Sequence, residues 1–157
     1  MSRRSKPRTL DPIGWREWLA LPDLGVETIK AKIDTGARSS ALHAFDLERF
    51  DRDGTPMLRF AIHPLQDDHR TIVVAEAELL AERHVRNSGG HAQLRPVVRT
   101  TVQLADRQWP IELTLTNRDA MGFRMLLGRQ AVRDRFLVDS GRSFLHPRSL
   151  ARHPNPT

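Results

Sequence analysis

The residues best placed for chemistry are Ala31-Lys32-Ile33-Asp34-Thr35-Gly36-Ala37. An acidic side chain ends an apolar, strand-like run and is followed at once by Thr, Gly and Ala. That order suits a carboxylate held in a tight loop at a strand end, with Ile33 anchoring the loop in the core. The Thr35 hydroxyl can hydrogen-bond across such a loop. Gly36 has no Cβ and lets another backbone approach closely. A carboxylate held this way can act as a general acid or base. As an isolated triplet Asp-Thr-Gly is also an ordinary turn, so the surrounding sequence has to decide. The small residues after it (Ala37, Ser39, Ser40) suit a crowded loop. Much later Met125-Leu126-Leu127-Gly128 supplies an apolar strand ending in glycine.

Other chemistries find less support. A phosphate-cradling Gly-x-x-x-x-Gly-Lys-Ser/Thr is absent, and so is His-Glu-x-x-His. The seven histidines (43, 63, 69, 84, 91, 146, 153) are scattered, and without cysteine there is no disulfide or thiolate metal site. The reading is therefore of no cofactor and no metal. The net charge of +6 is concentrated at the start: Arg3, Arg4, Lys6 and Arg8 leave only about +2 for residues 9–157. No helix-turn-helix, zinc finger or aromatic platform points to nucleic acid. No apolar run approaches a membrane span, so the expectation is a cytoplasmic protein that contacts no membrane. Arginine outnumbers lysine 22 to 3. Arginine is the better residue for bidentate carboxylate recognition.

The elements that must hold Asp34 are mostly short strands. Residues 1–10 read as a disordered basic arm, 11–145 as one domain and 146–157 as a flexible tail. Within the domain, Gly14–Leu21 reads as a first strand. Glu27–Ile33 alternates, placing Ile29, Ala31 and Ile33 on one face. Ser40–Phe50 is strand-like, Asp51-Arg52-Asp53-Gly54 is a hairpin turn, and Met57–Pro64 and Thr71–Glu78 follow as strands. Asn87-Ser88-Gly89-Gly90-His91 reads as a glycine tip between two arms, and Ala105-Asp106-Arg107 as another turn. Gln108–Thr116 alternates cleanly through Trp109, Ile111, Leu113 and Leu115. Arg129–Arg135 reads as one short helix, and Phe136–Val138 and Ser143–Leu145 close the domain. This pattern predicts an all-β closed barrel with a short C-terminal helix.

The chain resembles the retropepsin-like bacterial proteins named the ATP-dependent zinc protease family. These are associated with the ATP-grasp ligase that adds glutamates to a ribosomal protein. The resemblance runs from about Ile13 to Leu145. It is carried by Gly14-Trp15-Arg16-Glu17-Trp18, Lys30–Arg38, Ser40-Ala41-Leu42-His43, Arg95-Pro96-Val97 and Leu115-Thr116-Asn117-Arg118 through Met121–Arg129.

The resemblance implies an acid-protease (retropepsin-like) barrel and an aspartic endopeptidase mechanism. Two carboxylates about 3 Å apart share one proton. One activates a water while the other donates a hydrogen bond to the scissile carbonyl. With one Asp-Thr-Gly per chain, the second carboxylate comes from a homodimer mate. Asp119 is an alternative source within the chain. Asp34, Thr35 and Gly36 are then the catalytic loop. Association with glutamate ligation implies an acidic peptide or glutamate-tagged protein as substrate. Ala37, Arg38, Arg95, Arg118 and Arg124, with Arg129, are candidates to hold it, and Gly89 and Gly90 to close over it. The alternatives are a non-catalytic acidic-peptide-binding module and a zinc-dependent hydrolase.

Overall fold

The structure, a computed structural model, describes residues 10–66, 68–86, 89–90, 92–117 and 122–147. The basic arm, Arg118, Asp119, Met121, Asn87, Ser88 and His91 lie outside the described residues, as does the tail beyond residue 147.

Among the described residues eleven strands form two sheets. In chain order they are β1 Asp11–Gly14, β2 Arg16–Leu21, β3 Val26–Asp34, β4 Ser40–His43, β5 Phe45–Arg52, β6 Thr55–Ile62, β7 Val73–Arg86, β8 Ala92–Leu104, β9 Arg107–Thr116, β10 Met125–Gly128 and β11 Phe136–Asp139. One helix, α1 Arg129–Val132, follows β10. The larger sheet runs β2-β3-β10-β4-β9-β8-β7-β6-β5, and a further pairing of Ala20 with Gln103 joins β2 back to β8. The result is a closed six-stranded barrel with one short helix, the fold class predicted. Strands β7, β6 and β5 extend from it as a flap of sheet. The smaller sheet pairs β1 with β11 in parallel.

Hydrophobic patterning explains the closure. In β3, Val26, Ile29, Ala31 and Ile33 are buried, and in β9 Trp109, Ile111, Leu113 and Leu115 are buried. Both strands turn the same kind of alternating face to the barrel interior. There they meet Leu19, Leu42, Val98, Val102, Met125 and Leu127. The β5–β8 extension instead carries solvent-exposed ion pairs. Arg49 pairs with Glu82, Arg52 with Glu76, and Arg59 with both Glu48 and Glu76. Arg52 first, then Arg59, hold the Glu76 carboxyl below the usual carboxylate range. These pairs are solvent-exposed and add little stability. Their relevance is that they occupy those arginines.

Five readings of the sequence are corrected. The first strand is two, because the chain leaves β11 at Gly14 and joins β3 from Arg16. Ser40–Phe50 breaks at buried Ala44, where the chain exchanges β9 and β10 for β6. The helix is shorter than expected, since residues 133–135 form a turn. Ser143–Leu145 is no strand; its backbone caps buried polar groups instead, with the Phe144 N–H donating to Arg16 O. His146, assigned to the tail, is also held there: its N–H donates to Glu17.

Candidate active site

Asp34 is the last residue of β3, and its register partner in the parallel β10 is Gly128. The loop after it is fixed mainly by backbone hydrogen bonds. Ala37 N–H donates to Asp34 O (3.1 Å), Arg129 N–H to Ala37 O (2.8 Å) and Gln130 N–H to Arg38 O (3.1 Å). The Arg129 guanidinium reaches over the same turn and donates to Gly36 O at 3.2 Å and to Thr35 O at 3.5 Å. Upstream, Ile33 N–H donates to Trp15 O (2.7 Å), which ties the last turn of β3 to the start of β2. The sequence reading gave Arg129 a role in substrate binding. The structure also makes it a brace for the loop.

Within this frame the Asp34 carboxylate is half-buried and makes no hydrogen bond or ion pair with any described residue. Thr35 and Gly36 are exposed. A carboxylate left unpartnered in a loop held by its backbone is available to a water, a substrate or a second carboxylate.

Gly128 shows why β10 ends in glycine. A Cβ there would lie 2.5 Å from the Ser39 carbonyl carbon and oxygen, while its own N–H is held by the buried Ser40 Oγ at 3.0 Å. Both neighbours are backbone-anchored and cannot yield cheaply. Gly128→Ala is therefore expected to cost about 2–3 kcal/mol, the upper range for overpacking. A lowered thermal midpoint together with reduced activity would report it, because Asp34 and Gly128 are register partners.

The structure brings some of the predicted site residues together and separates others. Asp34, Thr35, Gly36, Ala37, Arg38 and Arg129 share one end of the barrel. Arg124 does not belong there. It precedes β10 at the end away from Gly128, about 13 Å along the strand at ~3.3 Å per residue, and it is only 4% exposed. Its surroundings are Gln66 and His69. There His43 and His63 pack on Phe45 and His69 packs on His63, with successive histidine rings 6.5 and 5.2 Å apart. Arg124 is thus buried at the end of β10 away from Asp34. Arg95 stands opposite Arg83 in the β7–β8 ladder, and its guanidinium turns to Gln93. Gly89 and Gly90 lie between β7 and β8, with Gly90 at φ +84° and open space where a Cβ would stand. Arg118 lies outside the described residues. Among the described residues, no group of three or more His, Cys, Asp or Glu is arranged to hold a metal ion, and no helix is long and apolar enough to cross a membrane.

Sequence reasoning missed a cleft of about 570 Å³. It is lined on one side by Arg38, Ser39 and Ser40, on the other by Trp109–Glu112 with Arg83, and at its end by Gln130, Ala131 and Arg135.

Comparison with known proteins agrees with this geometry. The chain is 47% identical over 127 residues to a probable alpha-L-glutamate ligase of Desulfotalea psychrophila (strain LSv54 / DSM 12343), covering 81% of this chain and 27% of that protein. It is 50% identical over 127 residues to a probable alpha-L-glutamate ligase of Parasynechococcus marenigrum (strain WH8102), again over 81% of this chain and 27% of the relative. The chain thus spans little more than a quarter of the length of these curated relatives. A crystal structure of Lpg0085, a protein of unknown function from Legionella pneumophila subsp. pneumophila str. Philadelphia 1, superposes with a TM-score of 0.73 at 30% identity. It covers 87% of this chain and 98% of its own. Residues 12–149 match the family model described as retropepsin-like aspartic endopeptidase RimB. That match takes in Asp34, its loop, the crossing strand at Gly128 and the helix behind it, and the chain belongs to the RimB-like family of retropepsin-like aspartic endopeptidases.

Proposed function

We propose that this protein is an aspartic peptidase acting on glutamate-rich or glutamate-tagged protein, with its catalytic pair formed by Asp34 from two copies of the chain. The observation that carries the reading is the half-buried Asp34 carboxylate with no partner among the described residues, at the centre of a loop whose backbone is fixed from both sides. The exposed Thr35 and Gly36 offer a face on which the same loop of a second copy fits. A Cβ on Gly36 would meet only Asp34 Oδ1, at 3.6 Å, so the space beside the loop is open.

The chemistry then follows from electrostatics. Two carboxylates brought within about 3 Å hold one proton between them. The ionised member takes a proton from water as that water attacks the peptide carbonyl. The protonated member donates to the carbonyl oxygen, and the departing amine collects its proton from the pair. Arg129 Nη1, shared between the carbonyls of Thr35 and Gly36, keeps the loop and its carboxylate from drifting. The β7–β8 hairpin, with Gly89 and Gly90 near its tip, is the element that would close over the substrate and exclude water.

Glutamate as the recognised residue is supported by the relatives. They are named for glutamate ligation, and the matched segment makes up about a quarter of each. The same names favour a second reading, a module that holds acidic peptide for another enzyme. One experiment separates the two. Purified protein is incubated with a reporter carrying an oligoglutamate tag, and the tag's length is followed by mass spectrometry. Shortening of the tag, undiminished by a chelator or by removal of ATP, is expected. Binding without shortening would support the module. Reversible loss of cleavage on stripping zinc would support a metal hydrolase.

A further inference from the structure

We propose that the cleft lined by Arg38, Arg83 and Arg135 is the subsite that grips a carboxylate of the peptide, an inference that rests on the peptidase reading for its substrate. Arginines on the outer sheet are matched with acids: Arg49 with Glu82, Arg52 with Glu76, Arg59 with Glu48 and Glu76. The cleft departs from that rule. Three arginines line it with one acid, Glu112, and that acid is engaged by Arg83 at 3.3 Å. Arg38 and Arg135 have no acidic partner among the described residues. The cleft therefore holds two arginine charges, those of Arg38 and Arg135, that no described acid matches.

The cleft is also built to hold those charges in place. The Arg135 guanidinium lies 5.1 Å from the centre of the Trp109 ring, a cation–π contact that positions it without neutralising it. Trp109 is 6% exposed, and its buried Nε1 has no hydrogen-bond partner. Pro110, Ile111 and Ala131 add apolar wall. A volume of about 570 Å³ is typical of a ligand site. Within a concavity a guanidinium–carboxylate pair is less screened than on an open surface.

Position ties the cleft to Asp34. Arg38 is four residues beyond it, and the Arg38 carbonyl accepts from Gln130 N–H. Gln130 and Ala131 in turn lie just after Gly128, the register partner of Asp34. A peptide lying across the Asp34 loop would thus place a neighbouring side chain at the cleft mouth. Glutamate supplies a planar carboxylate that arginine can take bidentately.

Binding can be read without cleavage. A fluorescent oligoglutamate peptide is titrated against Asp34→Asn protein and against the same protein carrying Arg38→Gln and Arg135→Gln. Oligoglutamine of equal length is the uncharged control. The arginine pair of substitutions is expected to weaken oligoglutamate binding at least tenfold and to leave oligoglutamine unchanged. Arg70→Gln, an exposed arginine that does not line the cleft, should change oligoglutamate affinity less than twofold. In the protein with Asp34 intact, the same pair should raise KM for glutamate substrates with kcat nearly constant. Oligoglutamate affinity indifferent to Arg38 and Arg135, or weakened equally by Arg70→Gln, would overturn the subsite. Arginine-dependent binding by a protein that cleaves nothing would uphold the subsite and defeat the peptidase reading alone.

Discussion

Asp34→Asn is expected to give a normally folded protein whose peptidase activity falls at least about a thousandfold, or roughly 4 kcal/mol of transition-state stabilisation. The fold should not notice the change. The Asp34 side chain makes no hydrogen bond or ion pair with any described residue, and its loop is held by backbone groups and Arg129. An unchanged melting temperature beside lost activity is the signature. Asparagine keeps the shape but can neither take a proton from water nor share one with a second carboxylate. Mixing experiments report where that second carboxylate comes from. If each site needs one Asp34 from each of two copies, equal mixing of wild-type and Asp34→Asn chains leaves about a quarter of the activity, because only wild-type pairs work. If each chain is self-sufficient, half remains. In the two-copy case Asp119→Asn should be mild; a loss equal to that of Asp34→Asn would mean a dyad within one chain. Near-normal turnover by Asp34→Asn would remove the aspartic mechanism altogether.

What could be read ahead of the structure was what is written locally. The period-two burial of Trp109, Ile111, Leu113 and Leu115 is a property of ten consecutive residues. The Asp34-Thr35-Gly36 loop and the apolar strand ending at Gly128 are contiguous motifs, so their types were legible. The structure adds why Gly128 must be glycine, namely the Ser39 backbone crossing beside it. What failed depended on partners distant in sequence. Ser40–Phe50 has strand-forming residues throughout, and nothing local says that at Ala44 the chain must change neighbours. Arg124 sits among motif residues close to Gly128 in sequence, yet the β10 strand carries the two to opposite ends. Arg83 and Arg135 join Arg38 in one cleft although 45 and 97 residues separate them from it. No spacing rule along the chain could have collected these three.

The largest loss of stability is expected at Glu17, far from any residue the chemistry needs. Its carboxylate is fully buried and meets three backbone donors: Gly14 N–H at 2.7 Å, Leu145 N–H at 2.9 Å and His146 N–H at 3.3 Å. It closes the domain by joining the first strands to the last described segment. The closure is tight, since a Cβ on Gly14 would stand 2.3 Å from Arg142 O. Trp18 stacks on Phe144 at 5.2 Å over the same seam. Glu17→Ala would strand one buried donor and two half-buried ones, at up to roughly 1–3 kcal/mol each. Allowing for relaxation, a loss of about 4 kcal/mol is expected, a large share of the ~5–15 kcal/mol that holds an ordinary domain together. Glu17→Gln keeps one acceptor oxygen and should cost about half as much. Urea unfolding of the two variants measures both, and a loss under about 1 kcal/mol for Glu17→Ala would show that the seam closes without the carboxylate. The damage should also reach the active site. Trp15, between Gly14 and Arg16, donates to Arg142 O and accepts from Ile33 N–H, one residue before Asp34. Loosening the seam therefore loosens the strand end that aims the carboxylate. Glu17→Ala should lose activity at temperatures below its own unfolding transition, whereas Asp34→Asn should lose it at every temperature with the transition unmoved.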